Sequence, residues 1–196
     1  MAAMVGEPGR SAARTALTAH PATPTNAVRA IEAVVSRDGD RLRLTYLLAG
    51  GLERLRIPPR GRVRPGRELW RHTCFEAFVG VAGAAAYHEL NLAPSAEWTV
   101  YAFTAYRDGG ALDDIAGQPR IVVGADDREL EVDALVDLAA LSPAYAAAPL
   151  RVALAAVVEE TSGALSYWAV RHPPGVPDFH HADGFVVTLE PPGDAC

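Results

Sequence analysis

RELWRHTCFEAFVGVAGAAAYHELNLAPSAEWTVYAFTAYRDGG, residues 67–110, decides how this chain is read. Three period-2 runs follow one another in it, at 73–80, 86–92 and 97–105, and alternation of this kind marks half-buried strands. Polar and aromatic residues (Trp70, His72, Glu76, His88, Glu89, Asn91, Arg107) recur where a purely structural sheet would carry aliphatics or Thr. That is the composition of a sheet face that touches something.

Working outward, the same period recurs. Ile31, Ala33 and Val35 alternate with Glu32 and Val34; Leu42, Leu44, Tyr46 and Leu48 alternate with Arg41, Arg43, Thr45 and Leu47. Asp38-Gly39 between them supplies hairpin chemistry. Further runs lie at 129–136, 150–158, 165–170 and 184–190. Helical signals are thin: 134–148 offers a turn or two before Pro143 cuts it. About ten short strands with Gly, Pro and Asp turns predict an all-β, antiparallel β-sandwich of immunoglobulin-like or jelly-roll-like kind. Residues 1–16 lack periodicity and are expected to be a mobile tail, with the domain over 17–192.

At 196 residues the chain suits one domain with a sizeable core. A net charge of −6 argues against a nucleic-acid partner. No run approaches the ~18 apolar residues of a membrane span, so no membrane partner is expected. The N-terminal stretch carries no continuous apolar segment and two cysteines make no disulfide framework, which together predict a reduced, cytoplasmic protein. All 18 basic residues are Arg, which excludes Schiff-base and pyridoxal-phosphate chemistry and a Walker-type lysine. From Arg54 to Arg71, seven Arg and one Glu give a local charge of +6, read either as a solvated loop or as an electropositive rim.

No nucleophile elbow, dinucleotide fingerprint, phosphate loop, HExxH or CxxC motif is present, and Ser95 sits in what reads as a plain turn. Glu76 and Glu89 lie on strands expected to be near neighbours. If they face one side, they form a polar patch suited to acid–base work, metal binding or hydrogen bonds to sugar hydroxyls; otherwise they pair with Arg71 or Arg107. His172, Asp178, His180 and His181 crowd a Pro-rich loop. They read as a divalent-metal site of a metal-dependent enzyme, or as a rigid flap with His172 or His180 donating hydrogen bonds. Of the three tryptophans, Trp98 reads as core and Trp70 as exposed.

Taken together, LWRHTCFEAF, YHELNLAPSAEW, YAFTAYRDGG and SYWAVRHPPGVPDFHHADGF resemble the bacterial DOMON-like domain family over roughly residues 17–190. That family is related to family-9 carbohydrate-binding modules and to haem- and sugar-binding DOMON sandwiches. The resemblance implies a β-sandwich with a ligand site on one side and no catalysis. Trp70 followed by Glu76 matches the modules' aromatic-then-acid spacing, and Trp168 is the implied second half of an aromatic clamp. Glu89, Asn91 and Arg107 are implied hydrogen-bonding partners of a small-molecule ligand, a carbohydrate above all. For the haem branch, only a bis-His pair from His72, His88, His172, His180 or His181 is open, since no Met follows position 4. No cofactor is expected to be resident.

Overall fold

The computed structural model describes residues 3–4, 10–112 and 117–191. Fourteen strands form among them: β1 (Ala3–Met4), β2 (Arg10–Ala19), β3 (Val28–Asp38), β4 (Arg41–Gly50), β5 (Arg64–Pro65), β6 (Cys74–Val81), β7 (Tyr87–Leu92) and β8 (Glu97–Ala105). They continue with β9 (Asp108–Ala111), β10 (Arg120–Ala125), β11 (Glu129–Asp137), β12 (Leu150–Glu159), β13 (Leu165–Ala169) and β14 (Val187–Leu189). Helix is confined to one turn of α-helix, α1 (Leu138–Leu141), and four 3₁₀ turns. No helix among the described residues is long and apolar enough to cross a membrane.

The strands pair in the order β10-β11-β4-β3-β2-β13-β12-β6-β7-β8-β5, with β1, β9 and β14 attached to β2, β8 and β12. The chain is thus nearly all β, and its sheet curls into a half-barrel. This corrects the expected sandwich in two respects. The ladder is unbroken, because β2 pairs with β13 through Ala19–Trp168 and Thr18–Ala169. It is also mixed, because β5 runs parallel to β8. A parallel contact arises here because the 54–71 loop returns along the edge of the sheet.

Curling brings the two halves together over one core. From β4, Leu44, Tyr46 and Leu48 pack with Phe75 and Val79 of β6, Leu90 of β7, Val100 of β8 and Leu154 of β12. Tyr46 stacks on Phe75 at 5.0 Å between centroids, and its hydroxyl donates to the Glu76 carbonyl. The turn between β3 and β4 holds Gly39 at φ 56, a left-handed conformation that glycine adopts without penalty.

The expected tail does not extend through residue 16. Strand β2 starts at Arg10 and pairs along its length with β3, burying Ala13 and Leu17. Residues 1–2 and 5–9 lie outside the described residues. Buried Arg37 of β3 reaches across to the segment after α1, donating to the carbonyls of Tyr145, Ala146 and Ala148.

Candidate functional site

Alternation gives the second half-sheet two chemically distinct faces. Phe75, Ala77 and Val79 of β6 and Leu90 and Leu92 of β7 point into the core. Their neighbours Glu76, Phe78, Tyr87, Glu89 and Asn91 therefore occupy the outer face. Register then fixes who meets whom: Glu76 lies opposite Asn91, Glu89 opposite Tyr101 of β8, and Tyr87 opposite Phe103. Glu76 and Glu89 are diagonal neighbours, close enough for long side chains to share one space.

The segment after β13 folds back over this outer face. Phe179 and Phe185 pack against a small cluster of Phe78, Tyr87, Ala153, Ala155 and Ala169. What it leaves uncovered is a cavity of about 430 Å³ whose wall includes Trp70, Glu76, Glu89, Tyr101, Tyr167 and His180. Phe103, Arg107, Val157, Pro177 and Phe179 complete it, with Gly109 and Gly110 of β9. A Cβ on Gly109 would stand 1.9 Å from the Ala102 carbonyl oxygen, so the hairpin closes this tightly only with glycine.

Trp70 owes its position to a 3₁₀ turn, Leu69–Arg71. Leu69 anchors the turn by packing with Cys74 and Ala93, which throws Trp70 outward to 44% exposure. The Arg71 guanidinium lies 5.0 Å from the indole centroid. Across the mouth, Asp178 accepts from the Tyr106 hydroxyl at 2.6 Å and from Arg107 Nη2 at 2.8 Å, pinning the overlying loop to the β8–β9 turn. Burial raises the pKa of Asp178, but the hydrogen bonds from Tyr106 and Arg107 outweigh it and hold the carboxyl below its ordinary value.

Deeper in, the carboxyls behave differently. Burial pushes Glu89 up to about 7, against the opposing pull of its Asn91 hydrogen bond and the Arg107 charge. Burial and then the Glu89 charge raise Glu76 well above the carboxylate range. Glu76 is 3% exposed and its Oε1 has no hydrogen-bond partner. His180 is lowered to about 4 by burial and by Arg107, so its ring is neutral at pH 7. The Tyr87 hydroxyl lies 2.9 Å from His180 Nδ1 and accepts the Arg107 backbone N–H. It still has its own proton to give, and donating that proton to Nδ1 places the ring proton on Nε2, 3.6 Å from Glu89 Oε2. With a neutral ring this is a polar contact rather than an ion pair.

Of the residues singled out from sequence, Trp70, Glu76, Glu89, Arg107 and His180 come together in the cavity wall. Asn91 stands behind it, wholly buried, donating to Glu89 Oε1 at 2.7 Å. Three do not join. Trp168 faces the core, with its indole N–H on Ser166 Oγ, because its partner on β12 is inward-facing Ala156. Tyr167, one residue earlier, takes the outer face in its place. His172 is drawn to the β2 seam, where Nε2 meets the Thr18 carbonyl oxygen. His72 lines a second, smaller cavity of about 210 Å³ and contacts Glu159, which Arg56 also holds.

The alternative constellations disperse. Asp178 faces Tyr106 and Arg107, His181 faces Asp183, and His172 lies against His20. No cluster of three or more His, Cys, Asp or Glu suited to a metal exists among the described residues. Of the five histidines open to haem, His180 alone lines the outer-face cavity, and His88 is held by the Tyr145 hydroxyl. Nor does the Arg-rich loop form an open positive rim along its length. Arg56, Arg64 and Arg71 are paired with Glu159, Glu97 and Glu68, while Arg54 and Arg60 donate to backbone carbonyls. Tyr101, Phe103, Tyr167 and Phe179 were missed as wall residues. The signal for the first two was the alternation of WTVYAF, in which Trp98 and Val100 face the core.

A curled, nearly all-β body with an aromatic and acidic cavity on its outer face is the class that fold and site define. No family model and no curated protein matches the chain. Among solved structures, it is similar to a Bacteroides uniformis protein described as a candidate carbohydrate-binding protein. That similarity has a TM-score of 0.58 at 16% identity, covering 88% of this chain and 83% of the other. At that identity the likeness establishes a shared fold.

Proposed function

We propose that this chain is a non-catalytic binding protein for a sugar or sugar-containing small molecule, which lodges in the outer-face cavity. The observation that carries the reading is Trp70, a large indole left 44% exposed at the mouth of a cavity with two carboxyls in its wall. Indole and phenol faces stack on the apolar faces of sugar rings, and carboxyls and a neutral imidazole N–H exchange hydrogen bonds with hydroxyls. The carbohydrate-binding description of the Bacteroides uniformis neighbour supports the same ligand class. Kinship with DOMON-like domains belongs to this proposal and rests on the four sequence segments that suggested it. No resident cofactor enters it.

Calorimetric titration with a panel of mono- and disaccharides tests the reading. Trp70→Ala lowers affinity roughly tenfold or more, the order of a lost aromatic contact, and leaves the thermal melt unchanged. Undiminished sugar binding by this variant would falsify the proposed site.

A further inference from the structure

The charge inside the cavity is one-sided. Its wall holds two carboxyls, Glu76 and Glu89, and among the described wall residues Arg107 alone carries a positive charge at pH 7. The Arg107 guanidinium is already committed to Asp178 at the mouth. His180 offers a neutral N–H, and Glu76 Oε1 has nothing to bond to. Around these acids stand Trp70, Tyr101, Phe103, Tyr167 and Phe179, whose ring faces carry negative potential that attracts cations.

A neutral hydroxyl can satisfy one acceptor here, but it brings no counter-charge to two buried acids. A protonated amine supplies that counter-charge and brings three donors to two carboxyls. We propose that the ligand carries a protonated amine seated between Glu76 and Glu89, so that its class is an amino sugar. This rests on the reading that the cavity is the ligand site.

The raised pKa values of both acids agree with this geometry. Empty, the pair retains protons near neutrality, and an arriving ammonium displaces them. The charged and titratable groups facing Glu89 are Tyr87 on its own strand, Cys74 and Glu76 on β6, Tyr101 and Arg107 from β8 and its turn, and His180 from the loop, with Asp178 behind Arg107. None but Arg107 brings a positive charge at pH 7. Proton release on binding appears as an apparent enthalpy that changes with the ionisation heat of the buffer.

The experiment is calorimetric titration of the whole chain with D-glucose, D-glucosamine and ethanolamine hydrochloride. Glucosamine is expected to bind about tenfold more tightly than glucose, the usual margin of a charge-assisted over a neutral hydrogen bond. In Glu89→Gln, checked for an intact thermal melt, the preference shrinks to roughly threefold or less. Equal affinity for glucose and glucosamine overturns the amine and leaves the sugar reading standing. Ethanolamine bound while neither sugar binds keeps the amine and overturns the sugar reading. No binding of any of the three overturns both, and a preference undiminished in both Glu89→Gln and Glu76→Gln removes the amine from the carboxyl pair.

Discussion

Glu89 sits on the outer face of β7 because Leu90 and Leu92 face the core, and the same burial that keeps it there resists its charge. Folding therefore binds its proton more tightly than the unfolded chain does. The resulting stabilisation is full below about pH 4.5 and is lost as pH rises through about 7. Glu76 acts in the same direction. His180 works oppositely: its lowered pKa adds stability as pH rises from about 4 to about 6.5. The total pH curve mixes these contributions, and the difference between Glu89→Gln and the parent reports Glu89 together with its pull on Glu76. Between pH 5 and pH 8 the variant gains roughly 2–3 kcal/mol relative to the parent, read from urea unfolding. A difference that stays flat across that interval means Glu89 titrates in its ordinary range. In that case the cavity is wetter than its walls suggest.

At the scale of elements, alternation made much of the sheet legible. The runs at 73–80, 86–92, 97–105, 129–136 and 150–158 became strands with ends shifted by a residue or so. Each puts aliphatic or aromatic side chains on the core side, and that contrast is what a period-2 reading detects. Strand β2 escaped because Ala12, Ala13, Ala16 and Ala19 are too small to raise a hydropathy signal against Arg14 and the threonines. SYWAV shows that neighbouring aromatics take opposite faces, but cross-strand pairing decides which one faces inward. Arg37 was invisible for another reason, since no spacing marks a guanidinium that bonds to carbonyls more than 100 positions away. It is 1% exposed and ties β3 to the 3₁₀ turn Pro143–Tyr145 and the residues after it. Arg37→Ala leaves several buried acceptors without a donor and costs about 3 kcal/mol in chemical unfolding. Arg37→Lys recovers little, because an ammonium lacks the fork that spans three carbonyls. Full recovery by lysine would show that charge, not this geometry, is what the site needs.

Across the whole molecule, the curled sheet separates two duties. Its inner face binds the halves into one body, and the outer face of its second half carries the cavity. The seam between the halves is short: two residue pairs join β2 to β13, reinforced by the His20 N–H on the Tyr167 carbonyl. Trp168 stands in that seam and in the core at once, whereas Trp70 belongs to a turn outside both. The same truncation at the two tryptophans should therefore give opposite results. Trp168→Ala opens a void beneath the seam and costs about 3–5 kcal/mol, which lowers the melting temperature by roughly 10 °C for a chain of this size. Because both halves share one core, secondary structure and aromatic circular dichroism are lost together in a single transition. Well below that temperature the outer wall keeps its composition, so sugar affinity changes far less than in Trp70→Ala. Two separated transitions would mean that the halves fold independently across the seam. A larger thermal loss from Trp70→Ala than from Trp168→Ala would reverse the assignment of inner and outer faces and remove the cavity as a binding site.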